Sequence, residues 1–195
     1  MASSSGVEIT YGRMTVAEYL TGEETNRPQE LAYGVLREPP TPTFEHQIIV
    51  GALYERLNRH VRQYRLGRVV LSPMDVILNL ERALVVQPDL LFVSSERASI
   101  CRDRIWGAPD LTIEVLSQGT QRHDRIAKAT WYRQYGVREY WLVDLITRQV
   151  EVRGLTTPDA SACVFEGRHL LRSRVLPRLR FRPADLFEAR SSSHA

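Results

Sequence analysis

Residues 110–117 constrain the chain most. They read Asp-Leu-Thr-Ile-Glu-Val-Leu-Ser, the alternating, apolar-rich pattern of a strand. One acid, Glu114, stands in the middle. A buried carboxylate is costly unless it is paired or bound to a metal, so a fold that uses this strand must give Glu114 a partner. A short polar stretch, 118–123, follows. A helix then opens at Asp124, and Lys128 lies one turn inside it. Lys128 is the only lysine among the 195 residues; every other long basic side chain is arginine. Lysine is a compact point charge whose pKa moves with its surroundings, which arginine's does not.

The remaining chain alternates helical and strand-like segments. Residues 14–20 read as a short helix with a Thr15–Glu18 capping box. Residues 29–37 read as a bent strand or tight strand pair turning at Gly34. After a Pro-rich break, 44–64 is the strongest helix, with Ile49, Leu53, Leu57 and Val61 at helical spacing and Gly67 closing it. Strands are expected at 68–72, 74–78, 85–93, 139–144 and 149–153. A short helix and loop are expected over 94–104. The helix from Asp124 runs to 134 or 135 and ends at Gly136. Edge strands are expected at 164–166, 170–175 and 179–181, and a last helix at 183–187. This order predicts an α/β (α+β) domain, a mixed central β-sheet flanked by helices. One domain is expected over 13–188, with disordered Ser-rich tails at 1–12 and 189–195.

The chain is 43% hydrophobic and 25% charged, as ordinary globular proteins are. No apolar run is long enough to span a membrane and no secretory signal is visible, so a cytoplasmic protein is expected. Cys101 and Cys163 match no metal or redox spacing and are expected as buried thiols. The net charge of +3 permits a polyanionic partner without demanding one.

Three acids lie inside otherwise apolar segments: Glu30, Asp89 and Glu114. If the strands of Asp89 and Glu114 are neighbours, their backbones lie ~5 Å apart. Two carboxylates projecting to one side would make a hard, oxygen-rich site suited to Mg²⁺ or Mn²⁺. A metal there polarises a phosphoryl oxygen and acidifies a bound water. Lys128 would orient that water or, as a neutral amine, deprotonate it, or as an ammonium stabilise developing negative charge. Plainer roles stand beside these. Asp89 after Pro88 would serve as a turn acid, Glu114 would pair with an arginine such as Arg125, and Lys128 would pair with Asp124 on a solvated helix face. Glu30 would be an exposed acid at a strand end. Asp124 is expected to cap its helix rather than bind metal. His46 and Gln47 are expected to cap a helix or touch a phosphate, and His123 to sit in a loop. Trp131, Tyr132, Tyr135, Tyr140 and Trp141 resemble a nucleic-acid stacking set, but at helical and strand spacing they are expected in the core. Two arginine sets, 56–68 and 172–182, would follow a phosphate backbone or serve as solvated faces.

The series Gln87-Pro88-Asp89-Leu90-Leu91-Phe92-Val93, then Ala108 to Ser117, then Asp124 with Lys128, Tyr132 and Gly136 to Asp144 resembles the Uma2 family (DUF820) of restriction-endonuclease-like proteins. That family is part of the PD-(D/E)XK nuclease superfamily. The likeness extends upstream through residues 14–20, Glu30-Leu31 with Gly34, and His46-Gln47. It implies a restriction-endonuclease-like core with one metal-dependent phosphodiesterase site. It also implies Asp89 and Glu114 as metal ligands, helped by the Val115 carbonyl, with Lys128 as catalytic lysine and Glu30 as a further acid. Most of the superfamily carries the lysine two residues after the acid. Leu116 holds that position here, so the lysine would come from the following helix, with 118–123 folded to turn Lys128 back over Glu114. The expected function is a Mg²⁺- or Mn²⁺-dependent endonuclease acting on DNA, working as a homodimer to cut both strands. A nuclease fold that binds nucleic acid or protein without cutting is the alternative, and a hydrolase of another phosphoester shares the same site.

Overall fold

The computed structural model describes residues 13–22, 27–117, 123–157 and 162–188. The tails expected at 1–12 and 189–195, and most of the 118–123 link, lie outside the described residues. The helices are α1 (Val16–Thr21), α2 (Phe44–Tyr64), α3 (Ala129–Tyr135) and α4 (Ala184–Phe187), with a 3₁₀ turn at Ser95–Ile100 and a π turn at Asp124–Lys128 that feeds α3. The strands are β1 (Glu30–Ala32), β2 (Val35–Arg37), β3 (Gly67–Leu71), β4 (Val76–Asn79), β5 (Leu84–Val86), β6 (Leu90–Ser94), β7 (Ile105–Trp106), β8 (Leu111–Leu116), β9 (Glu139–Asp144), β10 (Gln149–Gly154) and β11 (Cys163–Glu166).

The architecture is mixed α+β, and it contains two sheets. One has the order β2-β1-β5-β4-β7, the other β11-β10-β9-β8-β6-β3. Both mix parallel and antiparallel pairs: β8 and β9 run parallel across the α3 crossover, while β6 runs antiparallel to β8. Residues 85–93, which read as one strand, divide between the sheets. Pro88 has no N–H to give a ladder, and the chain crosses from β5 to β6 over residues 87–89. Asp89 therefore stands at the junction, outside both strands.

Strand alternation sorts the core. Leu90 and Phe92 of β6, Leu111, Ile113 and Val115 of β8, and Trp141 and Val143 of β9 pack against Ile49, Leu53, Leu57 and Val61 of α2. The opposite face presents Leu91, Val93, Leu116, Tyr140 and Leu142 to Trp131 and Tyr132 of α3 and to Val76, Leu84 and Val86 of the five-stranded sheet. Trp131, Tyr132, Tyr140 and Trp141 are thus core residues. The same parity turns Glu114 away from α2 and toward α3.

Local chemistry sets the element ends. Thr15 Oγ1 accepts from the Glu18 N–H at 3.2 Å, and the Glu18 carboxylate accepts from the Thr15 N–H at 2.7 Å, the expected capping box. The β1–β2 turn, Tyr33-Gly34, has φ of 53° and 84°, as a two-residue hairpin loop requires. α2 is capped by Thr43, which accepts from the His46 N–H at 3.3 Å, and ends on Arg65 in the left-handed region at φ 53°. Gly67 does not close α2 but opens β3. A Cβ there would lie 2.8 Å from Ser94 Cα on β6. The edge strands expected at 170–175 and 179–181 reduce to one bridge, Leu171 with Phe181. Glu139 holds this segment instead, accepting from Ser173 Oγ and the Arg174 N–H, each at 2.7 Å. Cys163 is exposed rather than buried, because it lies on edge strand β11.

Candidate active-site cleft

Glu30, Asp89, Glu114 and Lys128 come together where the two sheets meet. The strands around Asp89 and Glu114 are neighbours, as required, with Leu90 opposite Ile113. β6 pairs with β8 only as far as Ile113, so the Val115 N–H faces the junction and donates to Asp89 Oδ2 at 2.8 Å. N–H and C=O of one residue in a parallel strand point to the same edge, so the Val115 carbonyl faces the same way.

Lys128 turns inward. Its Nζ lies 2.8 Å from Glu30 Oε1, 2.9 Å from Glu114 Oε1 and 3.6 Å from Asp124 Oδ1, with its side chain 6% exposed. Glu30 arrives from β1 of the five-stranded sheet and Glu114 from β8 of the other, so one ammonium ties the sheets together. Glu30 is a buried ion-pair acid here, not an exposed strand-end acid. Its Oε1 also accepts from the Gln87 N–H at 3.0 Å. Tyr132, one turn beyond Lys128, donates to the same Glu114 Oε1 at 2.9 Å. The π turn carries Asp124 and Lys128 four residues apart on one face. Asp124 does not cap the helix: His123 precedes it in helical conformation without a side-chain cap, and Asp124 is buried beside Lys128. Arg125 is not the partner of Glu114; it pairs with Asp144 and Glu151.

Burial and charge pull these groups in opposite directions. Burial alone would lower the Lys128 pKa, but Glu114, Glu30 and Asp124 outweigh it and hold the amine well above its usual value. Lys128 is therefore an ammonium. Burial would raise Glu30, yet Lys128, His123 and the Gln87 N–H bring its carboxyl down to about 2. Glu114 goes the other way: burial, reinforced by Asp124, Asp89 and Glu30, pushes it well above the ordinary carboxylate range despite Lys128. Three carboxylates, Glu30, Glu114 and Asp124, share one ammonium, Asp89 adds its repulsion, and Glu114 takes up the imbalance.

The four acids and Lys128 do not form a ready-made ligand cage. Among the described residues no group of three or more His, Cys, Asp or Glu side chains is placed to hold a metal, because Lys128 stands among the acids. The donor set still fits a hard cation. Lys128 and Tyr132 engage only Oε1 of Glu114, and the Val115 N–H engages only Oδ2 of Asp89. Each acid keeps one oxygen without a protein partner among the described residues. Both acids line a cleft of about 460 Å³ whose walls include Arg27, His46, Gln87 and Lys128.

Three further contributors stand in the Uma2-like series without a site role expected of them from the sequence. His46 reaches Asp89 Oδ2 at 3.2 Å rather than capping α2, a role Thr43 fills. Burial lowers its pKa, but the Asp89 carboxylate reverses this and the net shift is upward. A polar side chain on the Ile49–Leu53–Leu57 stripe was its trace in the sequence. Tyr132 stands four residues after Lys128, the spacing that puts two side chains on one helix face. Gln87 opens the Uma2-like series but no spacing pointed it at Glu30; its place depends on the sheet crossing.

A family model, Uma2, described as "Putative restriction endonuclease", matches residues 16–184. The fold also matches a crystal structure described as "a putative nuclease belonging to DUF820 from Anabaena variabilis ATCC 29413", with a TM-score of 0.77 and 23% identity over 90% of this chain and 98% of that one. No curated protein matches the sequence.

Proposed function

The chain belongs to the Uma2 family, and from that membership and the chemistry of the cleft we propose a divalent-metal-dependent endonuclease that hydrolyses DNA phosphodiester bonds. The observation that carries this reading is the charge imbalance: Glu30, Glu114 and Asp124 surround one ammonium with half-buried Asp89 beside Glu114, and among the described residues one oxygen each of Asp89 and Glu114 has no protein partner. Asp89, Glu114 and the Val115 carbonyl would hold Mg²⁺ or Mn²⁺, hard ions that favour such oxygens. The ion, when bound, polarises a phosphoryl oxygen and acidifies a water. Lys128, kept charged by Glu30, stabilises negative charge developing on the phosphate and fixes Glu114 in place. Its raised pKa supports this role of a cation in place of the water activation expected from the sequence.

The test is supercoiled plasmid with Mg²⁺ or Mn²⁺, with wild type beside Asp89→Ala and Lys128→Ala. Wild type should nick and linearise the plasmid, and both variants should fall by 100-fold or more, about 3 kcal/mol of transition-state stabilisation. Equal cutting by all three would mark a contaminant. The same assay on structured RNA sets the substrate preference. Cutting two strands from one site per chain calls for a homodimer, which light scattering would show. No helix among the described residues is long and apolar enough to cross a membrane, and we place the enzyme in the cytoplasm with its DNA.

The lack of a three-ligand group among the described residues favours a second reading, a nuclease fold that binds nucleic acid or protein without cutting. Calorimetric titration separates the two: heat of Mn²⁺ binding that Asp89→Ala abolishes supports the nuclease, and no binding at millimolar ion supports the module.

A further inference from the structure

We infer that His46 is a positioning residue for the cleft: its Nε2–H pins one oxygen of Asp89 so that the other is presented for the divalent cation. This inference rests on the metal-dependent reading above. His46 lies in the first turn of α2, buried on a stripe otherwise made largely of Ile49, Val50, Leu53, Leu57 and Val61. A polar ring there is costly unless it is satisfied. It is not spent on the helix end, because Thr43 supplies the cap.

Its ring meets Asp89 instead, with Nε2 3.2 Å from Oδ2. The same oxygen accepts from the Val115 N–H at 2.8 Å. Two donors from different elements, α2 and β8, thus converge on a single carboxylate oxygen. The Asp89 backbone is fixed as well: its carbonyl accepts from the Ser72 N–H at 3.0 Å, and Pro88 precedes it. With backbone and Oδ2 both held, Oδ1 has one direction left. Asp89 is 21% exposed on its side chain and lines the cleft, so that direction is toward the ligand. Glu114 is built on the same plan, with Lys128 and Tyr132 both on Oε1. The Nε2–H tautomer also agrees with the rest of the ring, since among the described residues His46 Nδ1 is buried without a hydrogen-bond partner, while Nε2 is the nitrogen that meets the carboxylate. A bare acceptor there costs less than an unpaired N–H donor would, because carbonyl-type lone pairs go unmatched more often than donors.

The experiment is calorimetric Mn²⁺ titration of the full chain without DNA, for wild type, Asp89→Ala, His46→Ala, His46→Gln and His46→Asn. The Gln amide reaches the place of Nε2; the Asn amide stops short. Thermal unfolding in chelator checks that each variant folds. Losing an outer-shell hydrogen bond weakens metal binding by about 10–100-fold. His46→Ala and His46→Asn should weaken by that amount and His46→Gln should recover most of it. With plasmid, the loss should be partly offset by raising Mn²⁺, as expected of a residue that acts through the ion site. If His46→Ala fails to fold, the Gln and Asn pair decides. Wild-type affinity in His46→Asn or His46→Ala, with Asp89→Ala unable to bind, overturns the role of His46 and leaves the metal site standing. Equal losses in the Gln and Asn variants, both folded, also overturn it. No binding by wild type removes the metal-dependent reading itself.

Discussion

Replacing Lys128 by methionine should cost far more stability than any surface charge. The side chain keeps its length and apolar stem but loses the ammonium that sits within 3 Å of two carboxylates, on Glu30 and Glu114, each 5% exposed. Removing one partner of a buried ion pair leaves an uncompensated charge and costs about 3–5 kcal/mol. That is a large part of a typical domain's total of about 5–15 kcal/mol. At about 2–4 °C per kcal/mol for a chain this size, Tm should fall by about 6–20 °C. Urea unfolding in chelator, followed by the fluorescence of buried Trp131 and Trp141, measures the loss. The triple variant Lys128→Met, Glu30→Gln, Glu114→Gln should be more stable than Lys128→Met alone, because neutral amides need no counter-charge. The reasoning fails if Lys128→Met loses less than about 1 kcal/mol, the range of an exposed pair. It fails equally if the triple variant recovers nothing.

Asp110 carries a pH dependence that its partners determine. Burial would raise its pKa, but the Ser94 N–H, Arg138 and Arg97 hold it below the usual value. A depressed carboxylate contributes stability that is present above its unfolded pKa of about 4 and lost as pH falls through the folded value. Asp110→Asn should therefore cost about 1–3 kcal/mol at pH 7 and flatten the acid limb of the stability curve below about pH 4, as urea midpoints from pH 7 to 2.5 would show. Gly67→Ala should destabilise by more than the ~1 kcal/mol of an ordinary glycine exchange, since φ is 152° and the new Cβ lies 2.8 Å from Ser94 Cα; a thermal melt within 2 °C of wild type would refute the close approach. Glu139→Gln should cost about 1–3 kcal/mol, because the one amide oxygen can keep Trp141 and Ser173 only by turning its NH2 on the Arg174 N–H, and limited proteolysis should then cut faster in the segment after β11.

Much of the fold and of the site could be read along the chain, and particular residues show where that reading stops. Periodicity alone placed α2, because Ile49, Leu53, Leu57 and Val61 repeat at the helical interval. Gly34 announced the β1–β2 turn for the same local reason, positive φ. The acids Glu30, Asp89 and Glu114 and the lone lysine were conspicuous because each is out of character with its segment. None of this depends on distant parts of the chain.

Tertiary structure decided what those groups do to one another. Residues 85–93 hold one apolar pattern, and only the packing of two sheets shows that Pro88 breaks it and leaves Asp89 at their junction. The pairing of Lys128 with Glu30 spans 98 positions and two sheets, so no spacing rule could expose it. The same pairing explains why Lys128 stays charged and Glu114 bears the excess: a pKa is set by the charges nearby in space and by the water excluded around them. His46 makes the point most simply. In sequence it is a histidine near a helix start; only the approach of α2 to the end of β8 gives its ring a carboxylate to hold.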